Sequence, residues 1–109
     1  MKYLVFLAAL ACATGCLCCG GLSEAGEITQ TAYDSEDPTP CSQISNEILQ
    51  IGCCVSVGQK FNETAFCDKT ADKACRDYCY TGVASSLKNQ KICDGIQNAS
   101  IKNACKNQL

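Results

Sequence analysis

The stretch Cys53–Cys79, CCVSVGQKFNETAFCDKTADKACRDYC, places five cysteines in one short run. Cys41 precedes it, and Cys93 and Cys105 follow it. Eight half-cystines in so short a segment describe a disulfide scaffold, a solution used by small exported domains whose apolar interior is too small to hold them folded. The segment 41–109 has only sixteen large apolar residues (Ile, Leu, Val, Phe, Tyr). Below about 70–80 residues an apolar core rarely supplies more than about 3–5 kcal/mol, and each disulfide contributes roughly 2–4 kcal/mol. Sulfur bridges are therefore expected to outweigh packing.

The periodicity of this segment is helical. Ile44, Ile48, Ile51 and Val55 recur at spacings of four and three, which predicts a helix over about 43–56 with Gly58 as its stop. Ala71, Ala74, Cys75, Tyr78 and Cys79 share a face, which predicts a second helix over about 70–81, ended at Gly82. Between the two, Asn62–Cys67 suits a single helical turn, with Phe61 and Phe66 plugging the core. Asp94 and Gln97 resemble a capping box and predict a third helix over about 95–107. Residues 85–92 are a candidate fourth, with Leu87 and Ile92 inward. No stretch alternates with period two for long. The expected fold is all-α: a small disulfide-rich domain of three to four short helices with no substantial sheet.

Geometry limits the pairing of the cysteines. On a helix the adjacent Cys53 and Cys54 diverge by about 100°, so they should reach different partners. Cys75 and Cys79 lie one turn apart with parallel side chains, so each should bridge to another element. The remaining pairings stay open, since eight cysteines allow 105 connectivities.

The segments before Cys41 differ in kind. Lys2 followed by the apolar run Tyr3–Ala13 reads as a secretory signal peptide over residues 1–21. The competing reading is a membrane anchor. It would need roughly 20 apolar residues, and no basic cluster follows this run. Cysteine parity favours a cut between about residues 20 and 25. That cut removes Cys12, Cys16, Cys18 and Cys19 and leaves eight cysteines, an even number. Residues 22–40 carry five acids, no base, and both prolines of the chain, Pro38 and Pro40. They read as a disordered acidic tail or pro-segment. The domain proper is 41–109.

Composition narrows the chemistry. The chain has no histidine, so the usual Ser-His-Asp and Cys-His constellations cannot be built, and no enzyme is expected. No zinc pattern stands out beyond the C-x3-C of Cys75 and Cys79, and thiols in an exported chain meet oxidising conditions, so neither metal nor cofactor is expected. A net charge of −2 gives no field for nucleic acid. Two sequons, Asn62-Glu-Thr and Asn98-Ala-Ser, are candidate glycosylation sites.

Lys69, Lys73, Arg76, Asp77 and Tyr80 form the candidate binding face, because arginine and tyrosine are favoured interface anchors. The expected role is that of a secreted, extracellular, monomeric protein-binding signal, effector or toxin-like ligand, with a cell-surface or extracellular protein as partner. The membrane is met only through the cleaved signal peptide. The alternatives are a carrier of small apolar ligands, a membrane-active defence peptide, or a protease inhibitor. The carrier would need a cavity of about 300 Å³, and the inhibitor an exposed loop such as Gly82–Ser86.

The series Cys53-Cys54, Cys67, Cys75, Cys79 is loosely similar to the helical anaphylatoxin-like module, which opens on a Cys-Cys pair. A second such pair is missing, and Tyr80 follows Cys79. No family is assigned on these residues.

Overall fold

The computed structural model describes residues 20–109, and the expected signal peptide lies almost entirely outside them. The described chain is all-helical, with no strand among the described residues. It runs α1 (Gly20–Ser35), a 3-10 turn (Thr39–Gln43), α2 (Glu47–Phe61), the single turn α3 (Thr64–Cys67), α4 (Lys73–Leu87), a second 3-10 turn (Gln90–Gly95) and α5 (Ala99–Gln108).

The eight cysteines from Cys41 onward form four disulfides: Cys41–Cys53, Cys54–Cys75, Cys67–Cys79 and Cys93–Cys105. The adjacent pair Cys53 and Cys54 does diverge to different partners, and so do Cys75 and Cys79. Three bridges have the same sequence separation of 12, and each pins a short helical turn onto the long helix that follows it. The fourth, Cys54–Cys75, braces α2 against α4.

Behind this regularity is a 26-residue repeat. Cys41, Cys67 and Cys93 open its units, and Cys53, Cys79 and Cys105 follow at the same offset. Asn46, Asp72 and Asn98 cap α2, α4 and α5, and each side chain accepts the backbone N–H three residues on, from Leu49, Cys75 and Ile101. Such a cap satisfies one of the four amides a helix start leaves unpaired. Ile44, Thr70 and Ile96 are the buried residues just ahead of the caps. Glu36, Asn62 and Lys88, again 26 apart, follow α1, α2 and α4 and take the left-handed conformation that ends a helix. Thus α1 occupies the helix position of a preceding unit, without its cysteines.

Several expectations are corrected by this arrangement. Residues 22–40 are not a disordered tail: α1 occupies most of them, burying Ala25 and Ala32 and packing Ile28 and Tyr33 on the core. The Tyr33 ring meets Phe61 edge-on at 6.4 Å, and Phe61 stacks at a tilt on Phe66 at 4.8 Å. The acidic composition hid this face because its apolar positions are few and two are alanines. The helix expected over 43–56 runs instead from Glu47 to Phe61, since the true cap is Asn46. Ile44 lies ahead of it, and Ile48 is 78% exposed; the inner face is Cys53, Cys54 and Val57. Asn98, not Asp94, caps the last helix, while Asp94 pairs with Lys106 at 2.7 Å. That ion pair holds the Asp94 carboxyl below its ordinary range. Residues 85–92 are divided between the end of α4 and the second 3-10 turn; Ile92 packs on the core, but Leu87 is half exposed.

Neither Gly58 nor Gly82 stops a helix. Both lie inside one, at the crossing of α2 and α4. A Cβ on Gly58 would collide with the carbonyl oxygen of Cys79, and one on Gly82 with that of Val55. The two backbones touch there, which explains glycines in positions where helix propensity disfavours them.

Candidate functional site

Of the five residues of the expected binding face, Arg76, Asp77 and Tyr80 come together, and they form a largely buried latch with Asp68. Asp77 is 2% exposed and Tyr80 8%. Asp77 Oδ1 accepts the backbone N–H of Gln97 and Oδ2 that of Asn98, so one carboxylate on α4 holds the chain where it enters α5. Arg76 donates to Asp68 at 2.9 Å, to Asp77 at 3.3 Å, to the Gly95 carbonyl at 3.3 Å and to the Tyr80 hydroxyl at 3.1 Å. Its guanidinium also lies 4.3 Å over the Tyr80 ring. The Tyr80 hydroxyl donates to Asp68 at 2.8 Å. Burial, and then that hydrogen bond, raise the Tyr80 pKa above the usual phenol value.

Within the expected binding face, Asp77 and Tyr80 are therefore buried and occupied by internal partners. Arg76 pairs with Asp68 and Asp77 instead of with Asp72 four residues back, because Asp72 is engaged as the α4 cap. Of the five residues, Lys69 and Lys73 are exposed. Lys69 Nζ donates to the Glu36 carbonyl at 3.1 Å and lies 4.9 Å over the Phe66 ring, tying the end of α1 to the core.

Removing the latch should be costly. Asp77→Ala would leave two backbone amides and a guanidinium short of an acceptor in a buried site, a loss of about 3 kcal/mol. A thermal melt should show a lower midpoint, and hydrogen exchange should show α5 amides deprotected before those of α2. An unchanged midpoint would contradict this role.

A concave surface that the sequence did not announce opens beside the latch along α4 and shares Lys73 and Asp77 with the expected face. Two adjoining half-open depressions of about 310 Å³ and 390 Å³ run along its first turns. Ala74, Cys75 and Tyr78 form the floor with the Cys54–Cys75 bridge; α2 contributes Gln50 and Ile51, and α5 contributes Ile101. The two depressions share Ala74, Asn98 and Ile101, so they read as one groove. Glu47 and Asp72 stand at one end, and Lys73 belongs to the other. This groove was not legible because it draws on three units of the repeat, each contributing residues from the start of its helix.

The two sequon asparagines differ in position. Asn62 is exposed in the left-handed position after α2. Asn98 is exposed on the groove rim, with its side-chain oxygen engaged in the α5 cap. Gly82–Ser86, the loop a protease inhibitor would have needed, is helical, and Gly82, Val83 and Ala84 are buried. The sulfurs of Cys41, Cys54 and Cys75 lie within 4.8 Å of one another, but all three are consumed in disulfides. Among the described residues no helix is long and apolar enough to cross a membrane, and no buried side-chain nitrogen or oxygen lacks a hydrogen-bond partner. Comparison with known proteins returns no matching family profile, no matching curated protein and no matching solved structure.

Proposed function

We propose that this protein is a secreted, extracellular binding module that acts as a signal or effector by docking on another protein. The observation that carries the reading is the frame itself: eight half-cystines, each 2% exposed or less, link the helices from α2 through α5 and the two 3-10 turns in pairs, and α2, α4 and α5 enclose a half-open groove. A rigid surface loses little side-chain and loop entropy on docking, which favours recognition by preorganisation. Four disulfides suit an oxidising compartment, and export through the signal peptide over residues 1–21 would supply it. A glycan on Asn62 belongs to the same reading, since Asn62 lies away from the groove lining.

An apolar-ligand carrier is the second reading, and the groove dimensions are its one support. Its half-open form and polar rim favour a macromolecular surface over a lipid-sized guest. The full chain, expressed in a secretory host, should reach the medium with a mass eight hydrogens below the fully reduced value. In a binding screen against cell-surface ectodomains it should select a partner, and reduction should abolish that binding. Retention in the cell, or saturable uptake of a fluorescent fatty acid with no ectodomain bound, would overturn the proposal.

A further inference from the structure

The groove carries an asymmetry that points to the chemistry of its occupant. Its floor and walls are apolar where α2, α4 and α5 converge: Ile51, Tyr78 and Ile101, beside the Cys54–Cys75 bridge. The charged side chains at the end formed by α2 and the α4 cap are both acids, Glu47 and Asp72. Asp72 caps α4 through one oxygen and accepts from the Ser42 hydroxyl at 3.0 Å through the other. Glu47 is exposed and makes no ion pair among the described residues. One turn along α2 from Ile51, and outside the lining of the groove, Ile48 is 78% exposed, the most exposed large hydrophobic residue among those described. At the far end the charges are Lys73 and the buried Asp77, which is already engaged by two amides and Arg76.

We propose that this groove binds an extended peptide segment of a partner protein, with a basic side chain set between Glu47 and Asp72 and aliphatic or aromatic side chains laid along Ile48, Ile51 and Ile101. This rests on the protein-binding reading and names the class of segment recognised. The charge complementarity is local, since the segment from Cys41 to Leu109 as a whole has more bases than acids; a basic peptide is drawn to this end of the groove against the sign of the rest of the domain. Opposite charge at a rim sets register and on-rate, while the apolar strip supplies the affinity. Asn98 lies on the rim, so a glycan there would block the groove, and the assay uses protein made without N-glycans.

Three fluorescein-labelled peptides of equal length serve as probes, alternating Lys with Leu, Glu with Leu, and Lys with Ser. Fluorescence anisotropy on the full chain should show saturable binding of the Lys/Leu peptide alone. Glu47→Lys and Ile48→Ser change exposed residues, and each should weaken that binding by about tenfold without altering the circular dichroism spectrum or the disulfide count. Glu63→Lys makes the same charge change at an exposed residue just beyond the other end of α2 and should leave binding intact. Equal binding of all three peptides, no binding, or equal loss from Glu47→Lys and Glu63→Lys would overturn the inference. Applied to an ectodomain from the screen, the same variants separate the two readings: if ectodomain binding survives Glu47→Lys and Ile48→Ser, the groove assignment falls and the protein-binding reading stands.

Discussion

Reduction with excess dithiol, without denaturant, is expected to abolish the helical circular dichroism signal and the cooperative thermal transition. All eight cysteines of the frame are buried, and among the described residues they make up about half of the buried apolar side chains. What remains is thin: among the described residues, the other buried apolar residues larger than alanine are Pro38, Ile44, Val57, Tyr80, Val83 and Ile96. On chain entropy, a bridge closing a span of 12 residues contributes about 3 kcal/mol, and one closing 21 residues only a few tenths more. Four bridges sum to roughly 12 kcal/mol, as large as the whole stability of a typical domain, about 5–15 kcal/mol. The reduced chain should therefore populate unfolded states.

Loss of single bridges should be graded by position. Cys93→Ala with Cys105→Ala removes a staple in the terminal unit, and the damage should stay in α5. Cys54→Ala with Cys75→Ala removes the only bridge between α2 and α4 and should lower the melting midpoint further. A reduced chain that kept a cooperative melt near the oxidised midpoint would refute sulfur as the main source of stability.

Much of this architecture was legible in the residues. Helical periodicity without alternation gave the all-α class, and the angle between adjacent side chains on a helix showed that Cys53 and Cys54 must diverge. The repeat was not seen, and the reason is physical. The positions it holds constant are those that place backbone: two cysteines, a cap, one buried residue before the cap and one left-handed residue after the helix. The positions between them fill differently, with Ile44, Thr70 and Ile96 in the same buried place. The cross-brace adds Cys54 and Cys75, which draw the eye to Cys-Cys and Cys-x3-Cys and away from three equal cysteine spacings. Those equal spacings were the available signal, and they would have cut the possible pairings sharply.

The burial of Asp77 and Tyr80 was hidden for a related reason. Charge and aromaticity on one helix face, at Arg76, Asp77 and Tyr80, do not tell whether a neighbouring backbone needs an acceptor. The Gln97 and Asn98 amides do, and they take Asp77 out of solvent.

The glycines provide the sharpest separation of local propensity from tertiary contact. Within α2, Gly52 and Gly58 are the same residue in the same helix, and propensity alone assigns both a gain of about 0.5–1 kcal/mol on replacement by alanine. A Cβ on Gly52 meets nothing within 4 Å, so Gly52→Ala should realise that gain and raise the melting midpoint by about 4 °C. A Cβ on Gly58 meets the Cys79 carbonyl, part of a backbone already held by the Cys67–Cys79 bridge and by α4. No rotamer change can relieve that collision. The helices must separate, losing contact around Val57 and Val83, both fully buried, and straining the nearby Cys54–Cys75 brace. Gly58→Ala should therefore cost about 3 kcal/mol or more, against the sign of propensity, and lower the midpoint by roughly 15 °C. Gly82→Ala faces the Val55 carbonyl across the same crossing and should behave alike. The double variant should cost clearly less than the sum, because one separation of the helices relieves both collisions. Thermal melts of the oxidised proteins decide it: equal shifts for Gly52→Ala and Gly58→Ala, or full additivity at Gly58 and Gly82, would mean that the two backbones do not meet there.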